Sequence, residues 1–164
     1  MLFLVIAAVI IVVFALKAVV VVPKDHAYVI ERMGQYVATL NPGFHVLVPL
    51  VDTIRFKYST AIQSQELSDV LETSDRQGVS LASAYRFRVL DPQRAAYGVA
   101  DHAESLRELV RTWQKRYVGG QTWDALHQDT RSLEAEVKRG VDEASDAFGV
   151  KMEDYTVKDL QFRG

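Results

Sequence analysis

No cysteine occurs among the 164 residues. That excludes a disulfide framework, a thiolate zinc site, a cysteine nucleophile and a palmitoyl acceptor, and it leaves the redox compartment unread. Nor is there an excess of one charge: 19 Lys and Arg stand against 21 Asp and Glu, for a net charge of −2 at pH 7. The two signs alternate through the second half, without the basic footprint of a nucleic-acid binder, so nucleic acid is not an expected partner. The four histidines, at positions 26, 45, 102 and 127, lack HExxH or any repeated ligand spacing, and each reads as structural or solvent-facing. GxSxG, GxxxxGKS/T and a strand-following GxGxxG are absent as well. No metal ligand, cofactor or catalytic residue is therefore assigned.

The opening stretch, MLFLVIAAVIIVVFALKAVVVVP, has almost no charge, Lys17 alone interrupting it before Pro23. At about 1.5 Å per residue, a helix over residues 1–22 would span roughly 33 Å, matched to a hydrocarbon core of about 30 Å. We therefore expect a single transmembrane helix over residues 1–22, with Leu4, Ile6, Ile10, Val13, Phe14 and Leu16 carrying the insertion. Lys17 lies in its last third, where its stem reaches the interface. A cleaved signal peptide is disfavoured by the missing basic n-region and the weak Leu16-Lys17-Ala18 site. A buried globular helix is disfavoured by the length of the run. With only the α-amine on one side, and Lys17, Lys24 and Arg32 on the other, the body of the protein is expected on the cytoplasmic face.

Residues 23–164 suffice for one domain with a real core and not for two comfortable ones. Ala27 to about Tyr58 reads as short strands and turns, with Gly34 and Asn41-Pro42-Gly43 as turn signals. FHVLVPLV, residues 44–51, is an apolar run that Pro49 turns into an edge, a bent strand or a loop. Its side chains need cover from an ordinary core or from lipid headgroups. Ser64 to Gly78 reads as a strand edge followed by an acidic loop. In VSLASAYRFRV, Val79, Leu81, Tyr85, Phe87 and Val89 share one parity, the period of a half-buried strand ended by Asp91-Pro92.

The second half is helical. Asp101-His102-Ala103-Glu104 has the form of a capping box, after which Leu106, Leu109, Val110, Trp113 and Tyr117 make one apolar stripe up to Gly119-Gly120. A second helix is predicted from Thr122, burying Leu126, Leu133, Val137, Val141, Ala144 and Phe148 and ending at Gly149 as a left-handed cap. Gly140 inside it points to close packing. Val150 to Phe162 is extended, with a parity slip between Met152 and Tyr155 that requires a bulge. Strands, then helices, then a strand give an α+β fold.

These segments carry a resemblance. VPKDHAYVIERMGQYVATLNPGFHVLVPLVDTI, residues 22–54, resembles the opening of the SPFH or band 7 domain of stomatins, prohibitins, flotillins and bacterial membrane-protease modulators, in the stomatin and paraslipin branch. YRFRVLDPQRAAYGV, LRELVRTWQKRYVGGQTWDAL and VDEASDAFGVKMEDYTVKDLQF resemble that family's later strands and helices in order. Gln114-Lys115-Arg116-Tyr117-Val118-Gly119 departs from the family's usual Met-Arg-x-x-Val/Ile-Gly, and Thr130-Arg131 stands where Arg-Glu is common. The family's long C-terminal helix is expected to be missing from a sequence that ends at Gly164.

The resemblance implies an antiparallel α+β SPFH domain over residues 23–164 that oligomerises on the bilayer, organises membrane microdomains and modulates membrane proteins such as proteases or channels. Implied partners are the lipid bilayer, further copies or longer SPFH paralogues, and a membrane protease or NfeD-type protein. Phe44, Leu47, Val48 and Leu50 are the candidate membrane-surface contacts. Two other readings stay open: a monomeric membrane adaptor binding one partner, and a membrane-tethered hydrolase whose triad forms only in three dimensions.

Overall fold

The computed structural model describes residues 3, 5, 6 and 18–163, and the chain divides into two compact units, Met1–Thr60 and Ala61–Gly164. Leu4, Ile10, Val13, Phe14 and Leu16 lie outside the described residues, while Ile6 is described and exposed. Among the described residues no helix is long and apolar enough to cross a membrane.

The first unit contains β1 (Val19–Val22), β2 (His26–Arg32), β3 (Gln35–Leu40), β4 (Gly43–Val46) and β5 (Asp52–Ser59). β1 pairs antiparallel with β4 as a two-stranded ribbon, and β3-β2-β5 form a second antiparallel sheet. The predicted helix over residues 1–22 is thus corrected at its end: Val19–Val22 is a strand. Four consecutive valines lose χ1 freedom in a helix and fit a pleated ribbon. Val22, Ile30 and Leu40 form the small core of this unit, with Tyr28, Leu47 and Ile54 packed against it.

The second unit begins with β6 (Gln63–Glu72) and β7 (Gly78–Val89). The strand edge expected near Ser64 is a full ten-residue strand, and the loop after it is short. Thr73 closes that loop, its hydroxyl donating to Asp75 and accepting from the Gln77 N–H. Four helices and a 3-10 turn follow: α1 (Pro92–Tyr97), α2 (His102–Gly119), α3 (Trp123–Gln128), α4 (Thr130–Ser145) and Asp146–Phe148. β8 (Val150–Arg163) completes an antiparallel sheet in the order β6-β7-β8. As its parity predicts, β7 buries Val79, Leu81, Tyr85, Phe87 and Val89. The parity slip in β8 is a bulge at Glu153, where Met152 pairs with Phe87 and Asp154 with Arg86; a second lies at Lys158.

Asp101 caps α2 by accepting from the Ala103 and Glu104 N–H groups, but Glu104 pairs with Arg107 instead of closing the box. The single helix expected from Thr122 is two helices. Asp129 leaves helical backbone at φ −135°, and its carboxylate accepts from the Ser132 N–H, so α4 starts afresh with its own cap. Ala144 is only half-buried, whereas Leu126, Leu133, Val137, Val141 and Phe148 are core. Gly149, at φ 70°, supplies the left-handed cap. Gly140 lies against the Trp113 indole, where a Cβ would meet the ring.

One residue of the α2 core is polar. Gln114 is fully buried and donates from Nε2 to Ser83 Oγ and to Tyr155 Oη, each at 2.8 Å, tying the helix to β7 and β8. Its Oε1 is buried without a hydrogen-bond partner.

A candidate membrane-contact surface

Alternation along the β1–β4 ribbon sorts its side chains onto two faces. Register places Val19 opposite Val46 and Val21 opposite Phe44, so these four apolar side chains share a face. They are solvent-exposed, Phe44 and Val46 by 83% and 79%. Past the strand, in the turn that follows, Val48 and Leu50 are exposed as well, the latter by 92%. Six apolar side chains thus form an exposed row, a feature that marks an interaction surface.

The opposite parity turns inward, and one sequence-level assignment changes with it. Leu47 is half-buried against Val22, Ile30 and Leu40, so it is core and not a surface contact. Its backbone N–H donates to the Ala18 carbonyl at 2.7 Å, which extends the ribbon by one step and fixes the side chain on the inner face. Phe44, Val48 and Leu50 are exposed. Val19, Val21 and Val46 were missed, because their membership depends on a pairing between segments more than twenty residues apart.

The turn after Leu47 is held by one carboxylate. Asp52 accepts from the Val48 N–H at 2.8 Å and from Arg32 Nε at 2.7 Å. The Arg32 guanidinium, then the Val48 N–H, hold the Asp52 carboxyl below its ordinary value. The Asp52 N–H returns to the Val48 carbonyl at 2.9 Å. Leu50 takes a left-handed backbone conformation, φ 69°, within that clasp. A branched side chain at positive φ is strained, and here it also projects apolar surface into solvent.

Residues 1–60 contain Lys17, Lys24, Arg32, Arg55 and Lys57 against Asp25, Glu31 and Asp52, so this stretch is net positive in a chain of net charge −2. The second unit has grooves of a different character. One of about 260 Å³ is lined by Trp113, Arg116, Tyr117 and Arg139, and one of about 500 Å³ by Leu90, Arg94 and the carboxylates of Asp91, Asp142, Glu143 and Asp146. Neither contains a histidine or a hydroxyl side chain other than the Tyr117 phenol. Among the described residues no group of three or more histidines and carboxylates could hold a metal ion. His26 and His45 are engaged with the Lys24 and Asn41 carbonyls, and His127 stacks on Trp123. Burial pushes the His102 imidazole below its ordinary value.

Comparison with known proteins places this geometry. The SPFH domain / Band 7 family matches residues 20–163, from the start of the ribbon to the end of β8. Stomatin-like protein 2, mitochondrial, of Homo sapiens is 31% identical over 145 residues, covering 87% of this chain and 40% of its own length. The protein of the same name from Rattus norvegicus is 32% identical over 142 residues, covering 85% and 40%. Stomatin-like protein stl-1 of Caenorhabditis elegans is 30% identical over 143 residues, covering 85% and 44%. The chain thus spans less than half the length of these curated relatives. A match of this extent, over antiparallel sheets and helices in the expected α+β order, establishes that the chain belongs to the SPFH domain / Band 7 family.

Proposed function

We propose that this chain is a membrane-anchored SPFH scaffold. Its apolar residues 1–18 hold it in a bilayer, and the exposed row of the first unit rests on that bilayer. The domain associates with further copies or longer SPFH chains to organise microdomains and modulate membrane proteins such as proteases. The observation that carries this reading is the apolar row of Val19, Val21, Phe44, Val46, Val48 and Leu50, attached through Ala18 to the apolar opening of the sequence.

The correction at β1 shortens the proposed anchor. With Val19–Val22 removed from it, a helix over residues 1–18 would reach about 27 Å at about 1.5 Å per residue, still within the spanning range. Lys17 then stands at the end of the span, where its ammonium reaches the interface without crossing hydrocarbon. The row adds a second contact, worth up to about 1.5–3 kcal/mol for each large apolar side chain taken fully out of water. Lys17, Lys24 and Arg32 favour the cytoplasmic side for the domain. No residue is assigned catalysis.

The test has two parts. Membranes containing the chain are washed with carbonate, and the protein is expected in the pellet with its encoded N-terminus; release into the supernatant refutes the anchor. Crosslinking in intact membranes, followed by native mass in mild detergent, should yield multimers. A strict monomer in both refutes the scaffold and favours a monomeric adaptor.

A further inference from the structure

We propose that Met33, at the tip of the β2–β3 hairpin, is a second bilayer-contact point beside Leu50, so that the Arg32–Asp52 pair holds two apolar prongs against lipid. The proposal rests on the reading of the ribbon row as membrane-facing, and it names a residue on a different sheet.

The strand register places the prongs together. Arg32 pairs with Asp52 at one end of the β2–β5 ladder, and His26 pairs with Ser59 at the other. Met33 follows Arg32 directly, and Leu50 precedes Asp52 by two residues, so the salt bridge at 2.7 Å lies between them. The chain enters at this same end, because the Ala18 carbonyl accepts from Leu47, at the mouth of the Leu50 turn. Lys24 and Asp25 belong to the other end, where the Thr60 N–H donates to the Asp25 carbonyl. The seven residues of β2 separate the two ends by about 20 Å at about 3.3 Å per residue.

Met33 and Leu50, 89% and 92% exposed, are the two most exposed large apolar side chains among the described residues. Both have left-handed backbone, φ 52° and φ 69°. Met33-Gly34 is the two-residue loop of a hairpin, with Gly34 at φ 80°, a site where Asn or Asp fits the backbone and stays hydrated. A methionine there satisfies neither requirement. Its unbranched, polarizable thioether does suit an irregular, fluid apolar medium such as the acyl-chain boundary of a bilayer. With the apolar residues that precede Ala18 as the proposed anchor, that medium lies at this end.

The absence of cysteine permits a direct test in the full chain. Single-cysteine variants Met33→Cys, Leu50→Cys and Asp25→Cys are labelled with an environment-sensitive fluorophore. Each is reconstituted in phosphatidylcholine and phosphatidylglycerol vesicles, with and without brominated acyl chains. The expected result is a blue shift and strong quenching at positions 33 and 50, several times that at position 25. Quenching at 50 with position 33 matching position 25 overturns the proposal while the membrane reading of the ribbon stands. No quenching at either position overturns both readings. Crosslinking between Met33→Cys copies without quenching identifies a second copy as the occupant, which also overturns the proposal. To exclude an effect of the label, a phospholipid with a diazirine on its acyl chain is photolysed with the unsubstituted chain. Adducts localised to Met33 by fragmentation support the proposal, and adducts confined to residues 44–50 contradict it.

Discussion

Gly140→Ala is expected to destabilise the second unit, although alanine is the better helix former. The propensity gain in α4 is about 1 kcal/mol. Against it, a Cβ at position 140 would lie 2.5 Å from Cδ2 and Cζ2 of Trp113, where carbon atoms at rest stand about 3.5–4.0 Å apart. The indole, or the helix that bears it, must therefore move by about 1 Å or more. The ring is rigid, half-buried and covered by the Arg116 guanidinium at 5.1 Å from its centroid, so little of that movement is free. Overpacking of this kind costs about 1–3 kcal/mol, and the upper half of that range applies where a rigid bicyclic ring must yield. The net expectation is a loss of about 1–2 kcal/mol, or a fall in Tm of about 5–10 °C for a unit of roughly this size. Calorimetry together with near-ultraviolet circular dichroism of the tryptophans measures it. Trp113→Leu should make Gly140→Ala harmless, so the double mutant is more stable than the sum of the single effects predicts. An unchanged or raised Tm in Gly140→Ala with Trp113 intact refutes the reasoning.

Gln114→Ala should cost about 2–4 kcal/mol, because it opens a cavity and leaves Ser83 and Tyr155 without their shared donor. Gln114→Met, which keeps the volume and removes the unpartnered Oε1, should cost less than half as much in urea melts. Burial raises the Tyr155 hydroxyl pKa above 10.0. Above pH 10 the unfolded chain therefore ionises this group first, and stability falls as pH rises, by up to about 1.4 kcal/mol per unit until the folded pKa is passed. Tyr155→Phe should reduce that alkaline slope, to which Tyr85 contributes in the same direction, and below pH 10 should cost only the lost hydrogen bond from Gln114. Leu50→Gly should relieve about 1 kcal/mol of left-handed strain and raise Tm slightly while weakening bilayer contact. Leu47→Ser, on the buried parity, should lower Tm by several degrees.

What the sequence made legible was local. The parity of β7, the Asp101 cap, the left-handed Gly149 and the bulge near Glu153 all follow from spacing within a dozen residues. Non-local pairings were not legible. Val19 to Val22 reads as a continuation of the apolar opening because valine is apolar enough for either element; its β-branching favours a strand, but the pairing with β4 is what decides it. FHVLVPLV is apolar on both parities, so Leu47 and Val48 could not be assigned to opposite faces without the register, and Val46 was passed over. Asp129 reads as an exposed helical position until its side chain is seen to cap α4. Gln114, in the middle of an apolar stripe, gave no sign that its partners would be Ser83 and Tyr155.

The central claim is that the ribbon end of the first unit faces lipid, and the most direct measurement is a depth profile along its exposed row. Spin labels at positions 44, 46, 48 and 50, placed one at a time in the full cysteine-free chain in vesicles, report collision with oxygen, which concentrates in acyl chains, and with a nickel chelate, which stays in water. The account predicts that the preference for oxygen rises from Phe44 towards Leu50, with a label at Asp25 on the water side. A preference for the nickel chelate at all four row positions, equal to that at Asp25, would contradict it.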